Sequence, residues 1–78
     1  MNRESRARLS AVNEKLAEIL CELEEIRNEE EEAYDNLPEG IQQSERGEAM
    51  ETAIDTLQEI YDNVESAQMG IDEITGKA

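Results

Sequence analysis

The chain has no histidine, tryptophan or phenylalanine, and only one cysteine and one proline. Each scarcity closes a class of possibilities. Without imidazole there is no side chain that titrates near neutral pH in its ordinary state, and no helical Glu-x-x-His arrangement for a di-iron site. The lone Cys21 forms no disulfide within the chain. It also lacks the histidine and the oxyanion loop that would make it a nucleophile. No run approaches the ~20 apolar residues of a membrane span. The basic residues of positions 1–9 are followed, from Ser10 to Glu18, by interleaved polar residues where a signal peptide needs a continuous apolar core. The expectation is a protein that stays in the cytoplasm, with Cys21 a reduced free thiol. Glycine-rich phosphate loops, nucleophile elbows, kinase signatures and the calcium-loop pattern are missing as well. We therefore expect no enzyme, no cofactor, no specific metal site and no small-molecule substrate.

Positive charge is the next shortage: 7 Lys and Arg stand against 21 Asp and Glu, for a net charge of −14. Direct nucleic-acid binding requires clustered basic side chains to neutralise phosphates. Only Arg3, Arg6 and Arg8 offer any, inside a field that repels the ligand, so direct nucleic-acid binding is not expected.

What the sequence does contain is helical periodicity. From Leu9 the apolar positions run Leu9, Val12, Leu16, Ile19, Leu23, Ile26, then Ala33 and Leu37, alternating steps of three and four; Glu30 is the one violation. Met50, Ala53, Leu57, Ile60, Val64, Ala67, Ile71 and Ile74 repeat the alternation without exception. Between the stripes, Pro38 disfavours a helical Leu37, Gly40 permits a turn, and Ser44 suits an N-cap with Glu45 and Glu48 at the positive end of the dipole. This predicts an all-α fold, a single domain over residues 1–78, with helices over about 4–36 and 44–74 and a turn over about 37–43. Two helices of equal length on a short connection fold back on each other, giving an antiparallel coiled-coil hairpin with Leu9 near Ile74, Ile19 near Val64 and Ile26 near Leu57. Gly70 marks a weak point where the second helix would fray after Met69, and Gly76 is the better stop signal.

The stripe is wider than two helices need. With Leu9 and Met50 at heptad position a, the seam is expected at a and d, and Leu20, Tyr34, Ile54 and Tyr61 all fall at e. A third apolar column suits a helix with more than one neighbour. Seventy-eight residues bury little surface alone. We expect this e column to serve self-association, as a homodimer forming a four-helix bundle, or a hetero-partner.

Charge is polarised along the chain. Residues 16–76 carry 19 acidic and 2 basic side chains, whereas residues 1–15 carry 4 basic and 2 acidic ones. In the hairpin the acidic tip gathers Glu29, Glu30, Glu31, Glu32, Asp35, Glu39, Glu45, Glu48 and Glu51, with Arg27 and Arg46 the local counter-charges. Like charges one turn apart repel by about 0.2–0.5 kcal/mol per pair. Three readings are open: a solvated surface that maintains solubility, a self-complementary one in which antiparallel hairpins set a basic open end against an acidic tip, and recognition of a basic partner by DNA mimicry. Glu30 occupies a core-type position, expected at the solvated end of the stripe, with pairing to Arg27 or Arg46 as the alternative. Cys21 and Met69, both at f, hint at a second contact face.

The stretch from Tyr34 to Glu59, YDNLPEGIQQSERGEAMETAIDTLQE, with Glu31 and Glu32 before it, carries Glu31, Glu32, Tyr34, Asp35, Asn36, Pro38, Glu39, Gln42, Ser44, Glu45 and Arg46 in the pattern E-E-x-Y-D-N-x-P-E-x-x-Q-x-S-E-R. It resembles small acidic helical-hairpin proteins encoded by phages and prophages of Gram-positive bacteria, a family with no established activity. The resemblance covers about a third of the chain and implies a bacterial host cytoplasm and a phage setting, in which small acidic proteins inhibit host defence nucleases. The dimeric-hairpin layout also looks like the repressor-of-primer type of RNA-binding bundle, whose basic recognition face is missing here. The expected function is a non-catalytic acidic protein-binding module, a phage-encoded inhibitor of a host defence protein acting by DNA mimicry on a basic groove. The alternative is an assembly module that self-associates into the four-helix bundle.

Overall fold

Asn2 opens the first helix, its Oδ1 accepting the Ser5 N–H at 2.8 Å and so satisfying one of the orphan donors of the first turn. In the computed structural model, which describes residues 1–76, α1 then runs over Arg3–Asp35. A single helical turn, α2 (Glu39–Gln42), follows Pro38, and α3 spans Glu45–Thr75. Among the described residues there is no strand. The rod formed by the two long helices measures 58 × 15 × 14 Å.

The expected turn is therefore a short helix with a kink on each side. The Pro38 carbonyl accepts the N–H groups of Ile41 and Gln42 at 2.9 and 3.0 Å. Ser44 stands at the N-cap of α3, where its carbonyl accepts the Glu48 N–H at 3.0 Å. The expected side-chain cap is absent: the Ser44 hydroxyl donates instead to the Ile41 carbonyl and closes the end of α2. Gly47, in the first turn of α3, is buried against this connection. A Cβ there would lie 2.0 Å from the Gln42 carbonyl oxygen, so only glycine lets the two pieces of backbone meet.

The helices are antiparallel. Cross-helix hydrogen bonds join Asn13 to Asp72, Arg27 to Gln58 and Tyr34 to Glu51, pairs whose sequence separations fall from 59 to 31 to 17 toward the connection. At the far end α3 does not fray at Gly70. It continues to Thr75 and stops at Gly76, whose φ of 78° is the left-handed C-cap and whose N–H points to the carbonyls of Asp72 and Glu73.

The seam is centred differently from the a/d expectation. On α1 the residues drawn in include Leu9, Asn13, Leu16, Leu20, Leu23, Arg27, Glu30 and Tyr34, with Leu37 just beyond its end; on α3 they include Met50, Ile54, Leu57, Tyr61, Val64, Gln68, Ile71 and Thr75. These are columns a and e. Column d is left outside, with Val12, Ile19, Ile26 and Ile60 each 40–44% exposed and Ile74 at 53%. Leu20, at 8% exposure, is the one buried hydrophobic side chain among the described residues.

Candidate protein-interaction site

Two surfaces stand out, the acidic tip and the outer apolar column, and the seam residues determine how each is presented. Near the tip, the Tyr34 hydroxyl donates to the Glu51 carboxylate across the helices, and Gln42 Nε2 donates to the Tyr34 carbonyl at 2.9 Å. These bonds hold the last turns of α1, the connection and the first turns of α3 together. The hydrogen bond to Glu51, then desolvation and the charges of Glu51 and Asp35, raise the Tyr34 hydroxyl above its ordinary pKa near 10.

Around this frame Glu29, Glu31, Glu32, Asp35, Glu39, Glu45, Glu48 and Glu51 are exposed, and Glu30 is half-buried at the tip end of the seam. Arg27 does not pair with Glu30. Its guanidinium donates to Gln58 Oε1 and Asn28 Oδ1 and lies 5.9 Å from the centroid of the Tyr61 ring. Of the two local counter-charges, Arg27 is thus drawn into the seam, while Arg46 is exposed on the surface. Among the described residues no three carboxylate or thiol side chains converge as a metal site.

The structure places Leu20, Tyr34, Ile54 and Tyr61 at intervals along the seam of the hairpin, where Leu20 is buried and the other three half-buried. Their apolar surface is partly covered within the chain, and column d is the more exposed of the two. Cys21 is exposed and Met69 is 62% exposed. An open groove along the first turns of α1 is lined by Met1, Ser5, Arg8, Leu9 and Val12.

Sequence reasoning missed the polar members of the seam. Asn13 Nδ2 donates to the Gln68 carbonyl at 3.2 Å and to Asp72 Oδ1 at 2.8 Å, and Gln68 Nε2 returns a bond to the Asn13 carbonyl at 3.3 Å. The available signal was that Asn13 and Arg27 fall in the e column with Leu20 and Tyr34, seven residues apart. Long polar side chains bury their stems in such a column while their ends find partners. No protein-family model, curated protein or solved structure matches this chain.

Proposed function

We propose that the chain is a non-catalytic acidic binding module, a phage-encoded protein that engages a host defence protein in the bacterial cytoplasm by occupying a basic groove built for nucleic acid. The observation that carries this reading is the exposure of the tip carboxylates: eight of the nine are exposed, Glu51 among them accepting the Tyr34 hydroxyl, and Arg27 is engaged elsewhere. Glu29, Glu30, Glu31, Glu32 and Asp35 place five carboxylates within about 10 Å of helix, or roughly one charge per 2 Å. Duplex DNA carries one per ~1.7 Å, so a groove evolved for phosphates meets a comparable line of charge.

The test is a pull-down from host lysate with the chain and with a variant in which residues 29–32 are all Gln, followed by competition of the captured protein with duplex DNA. Capture of a nucleic-acid-binding protein that DNA displaces and the Gln variant fails to bind supports the reading. Equal capture by the variant rejects mimicry.

A second reading, the homodimeric four-helix bundle, is favoured by one observation: a row of valine and isoleucine remains outside the hairpin. The two readings are compatible, because Glu31, Glu32, Asp35, Glu48 and Glu51 lie on columns b, c and f, away from that row.

A further inference from the structure

We infer that the outer d-column face is covered by a second copy of this chain, stacked with its acidic tip over the open end of the first. This deepens the dimeric reading above and locates it on a different column from the e residues that the sequence pointed to.

The face is continuous. In an antiparallel pair with equivalent columns at the seam, the same heptad column of each helix turns to the same side of the hairpin. The hydrogen-bonded register places Val12 across from Ile74, Ile19 from Ala67, Ile26 from Ile60 and Ala33 from Ala53. All eight side chains are exposed. The open groove lined by Met1, Ser5, Arg8, Leu9 and Val12 continues this side at the open end. A rod 58 Å long and 15 Å wide offers a face of about 900 Å², close to the ~800 Å² per partner of a stable interface.

Three features select a second copy as the occupant. The first is the flank of α3: its g column is Ala49, Thr56, Asn63 and Gly70, without a charge, in a chain of which 36% is charged. Its f column is Glu48, Asp55, Asp62 and Met69, as expected of a face left to water. Charge is depleted where a partner would cover the helix.

The second feature is the flank of α1, where the g column reads Arg8, Lys15, Glu22, Glu29. Laid over itself the other way with Val12 above Ala33, this column sets Lys15 against Glu29 on both sides of the axis, Arg8 against Asn36 and Glu22 against its own copy, so Lys15 and Glu29 are its complementary pair. Stacking about a two-fold axis across the rod sets α1 against the second α1 in that antiparallel sense, whereas stacking with tips together would set α1 against the uncharged flank of α3 and crowd the two acidic ends.

The third is volume. The layers along the face are Val12 with Ile74, Ile19 with Ala67, Ile26 with Ile60, and Ala33 with Ala53 at the tip. Head-to-tail stacking lays Val12 over Ala33, Ile74 over Ala53 and Ala67 over Ile60, whereas tip-to-tip stacking would lay alanine over alanine at the tip and leave a void there.

The experiment is solution mass by light scattering at low and high salt, with helicity read by circular dichroism. The expected mass is twice the 8.8 kDa of the chain. Replacing Ile26 and Ile60 by Glu is expected to give the single-chain mass with helicity retained, because both side chains already face water in the hairpin. Two charge variants report the orientation: K15E should weaken the dimer about tenfold, and adding E29K should restore it by regenerating the Lys15–Glu29 complementarity with the signs exchanged. A wild-type chain that stays at single mass at millimolar concentration overturns the inference and leaves the face to another protein's helix. A dimer indifferent to Ile26 and Ile60 overturns the choice of face, and one indifferent to both charge variants overturns the head-to-tail orientation. None of these results depends on the pull-down with the Gln variant, so the two proposals fail separately.

Discussion

Two apolar columns lie side by side along each helix and end in different surroundings. Column e contributes Leu20, Tyr34, Ile54 and Tyr61 to the seam; column d contributes Val12, Ile19, Ile26, Ile60 and Ile74 to the outside. The outer column is the richer in β-branched residues, so hydrophobicity alone did not choose between them. The difference lies in their companions. Column e also holds Asn13, Arg27 and Gln68, whose side chains hydrogen-bond across the pair, and column d holds Ala33, Ala53 and Ala67, which cannot. The seam formed where cross-helix bonds were available, and the column that is apolar from Val12 to Ala33 and from Ala53 to Ile74 was left over.

The largest expected effect tests that contrast with neighbouring residues. Leu20→Ala should cost about 2–4 kcal/mol, the loss typical of a buried leucine, which is most of what a chain this small has in reserve. Ile19→Ala, one residue away and 44% exposed, should cost under about 1 kcal/mol at low protein concentration. Urea unfolding of both variants in dilute solution reads the difference. Equal losses would return the seam to a/d.

Glycines allow a second contrast. At Gly47 an added Cβ meets backbone, the Gln42 oxygen at 2.0 Å, whereas at Gly70 nothing lies within 4 Å. Gly47→Ala must push the connection away from α3 and should lose about 1–3 kcal/mol, while Gly70→Ala should gain up to about 1 kcal/mol from helix propensity alone. Opposite shifts in melting temperature are the expected outcome. A stabilising Gly47→Ala would mean that the connection does not rest on α3 as described.

These contrasts also show what was legible in the residues and what was not. The three-four alternation located both helices, Pro38 located the break and Gly76 the stop, because each follows from local backbone chemistry. The stripe's centre did not follow, since three adjacent columns carry apolar residues and a periodicity fitted to Leu, Ile and Val discounts Asn13, Arg27 and Gln68. Those three act through partners on the other helix, which no local pattern reveals. Gly47 was equally silent: in sequence it is a glycine after Arg46, and its reason is a carbonyl five residues earlier brought back by the turn.

The polar companions can be tested directly. Asn13→Leu removes its side-chain bonds to the Gln68 carbonyl and to Asp72 Oδ1, while Gln68 Nε2 keeps its acceptor, the backbone carbonyl of residue 13. A hydrogen bond's net worth is about 1 kcal/mol, and leucine returns some of that as burial, so the stability change should be small. Uniqueness is where the loss is expected, as for a single buried Asn that sets coiled-coil register. Broadened or doubled amide resonances around residues 64–72, with helicity unchanged, are the expected readout, and a single sharp set would show that the apolar residues define the register unaided.

The smallest effect concerns pH. Tyr34 donates to Glu51 only while protonated, and that bond raises its pKa above the ordinary value near 10 in the folded chain. A group with a folded pKa above its unfolded one contributes stability that is complete below the unfolded value and is lost as pH rises through the folded value. From neutral pH up to about pH 9 the Tyr34 bond should therefore contribute a constant stability, lost above that as Tyr34 ionises beside Glu51 and Asp35. Tyr34→Phe should melt slightly lower than the parent at neutral pH, having lost the bond, and should show a shallower alkaline decline. Tyr61, which makes no such bond to a carboxylate, is the control: Tyr61→Phe should keep the full alkaline slope. If the two phenylalanine variants decline alike, the tip is not held by the Tyr34 hydroxyl, and the closure of the acidic end rests on Gly47 and the Gln42 bond to the Tyr34 carbonyl.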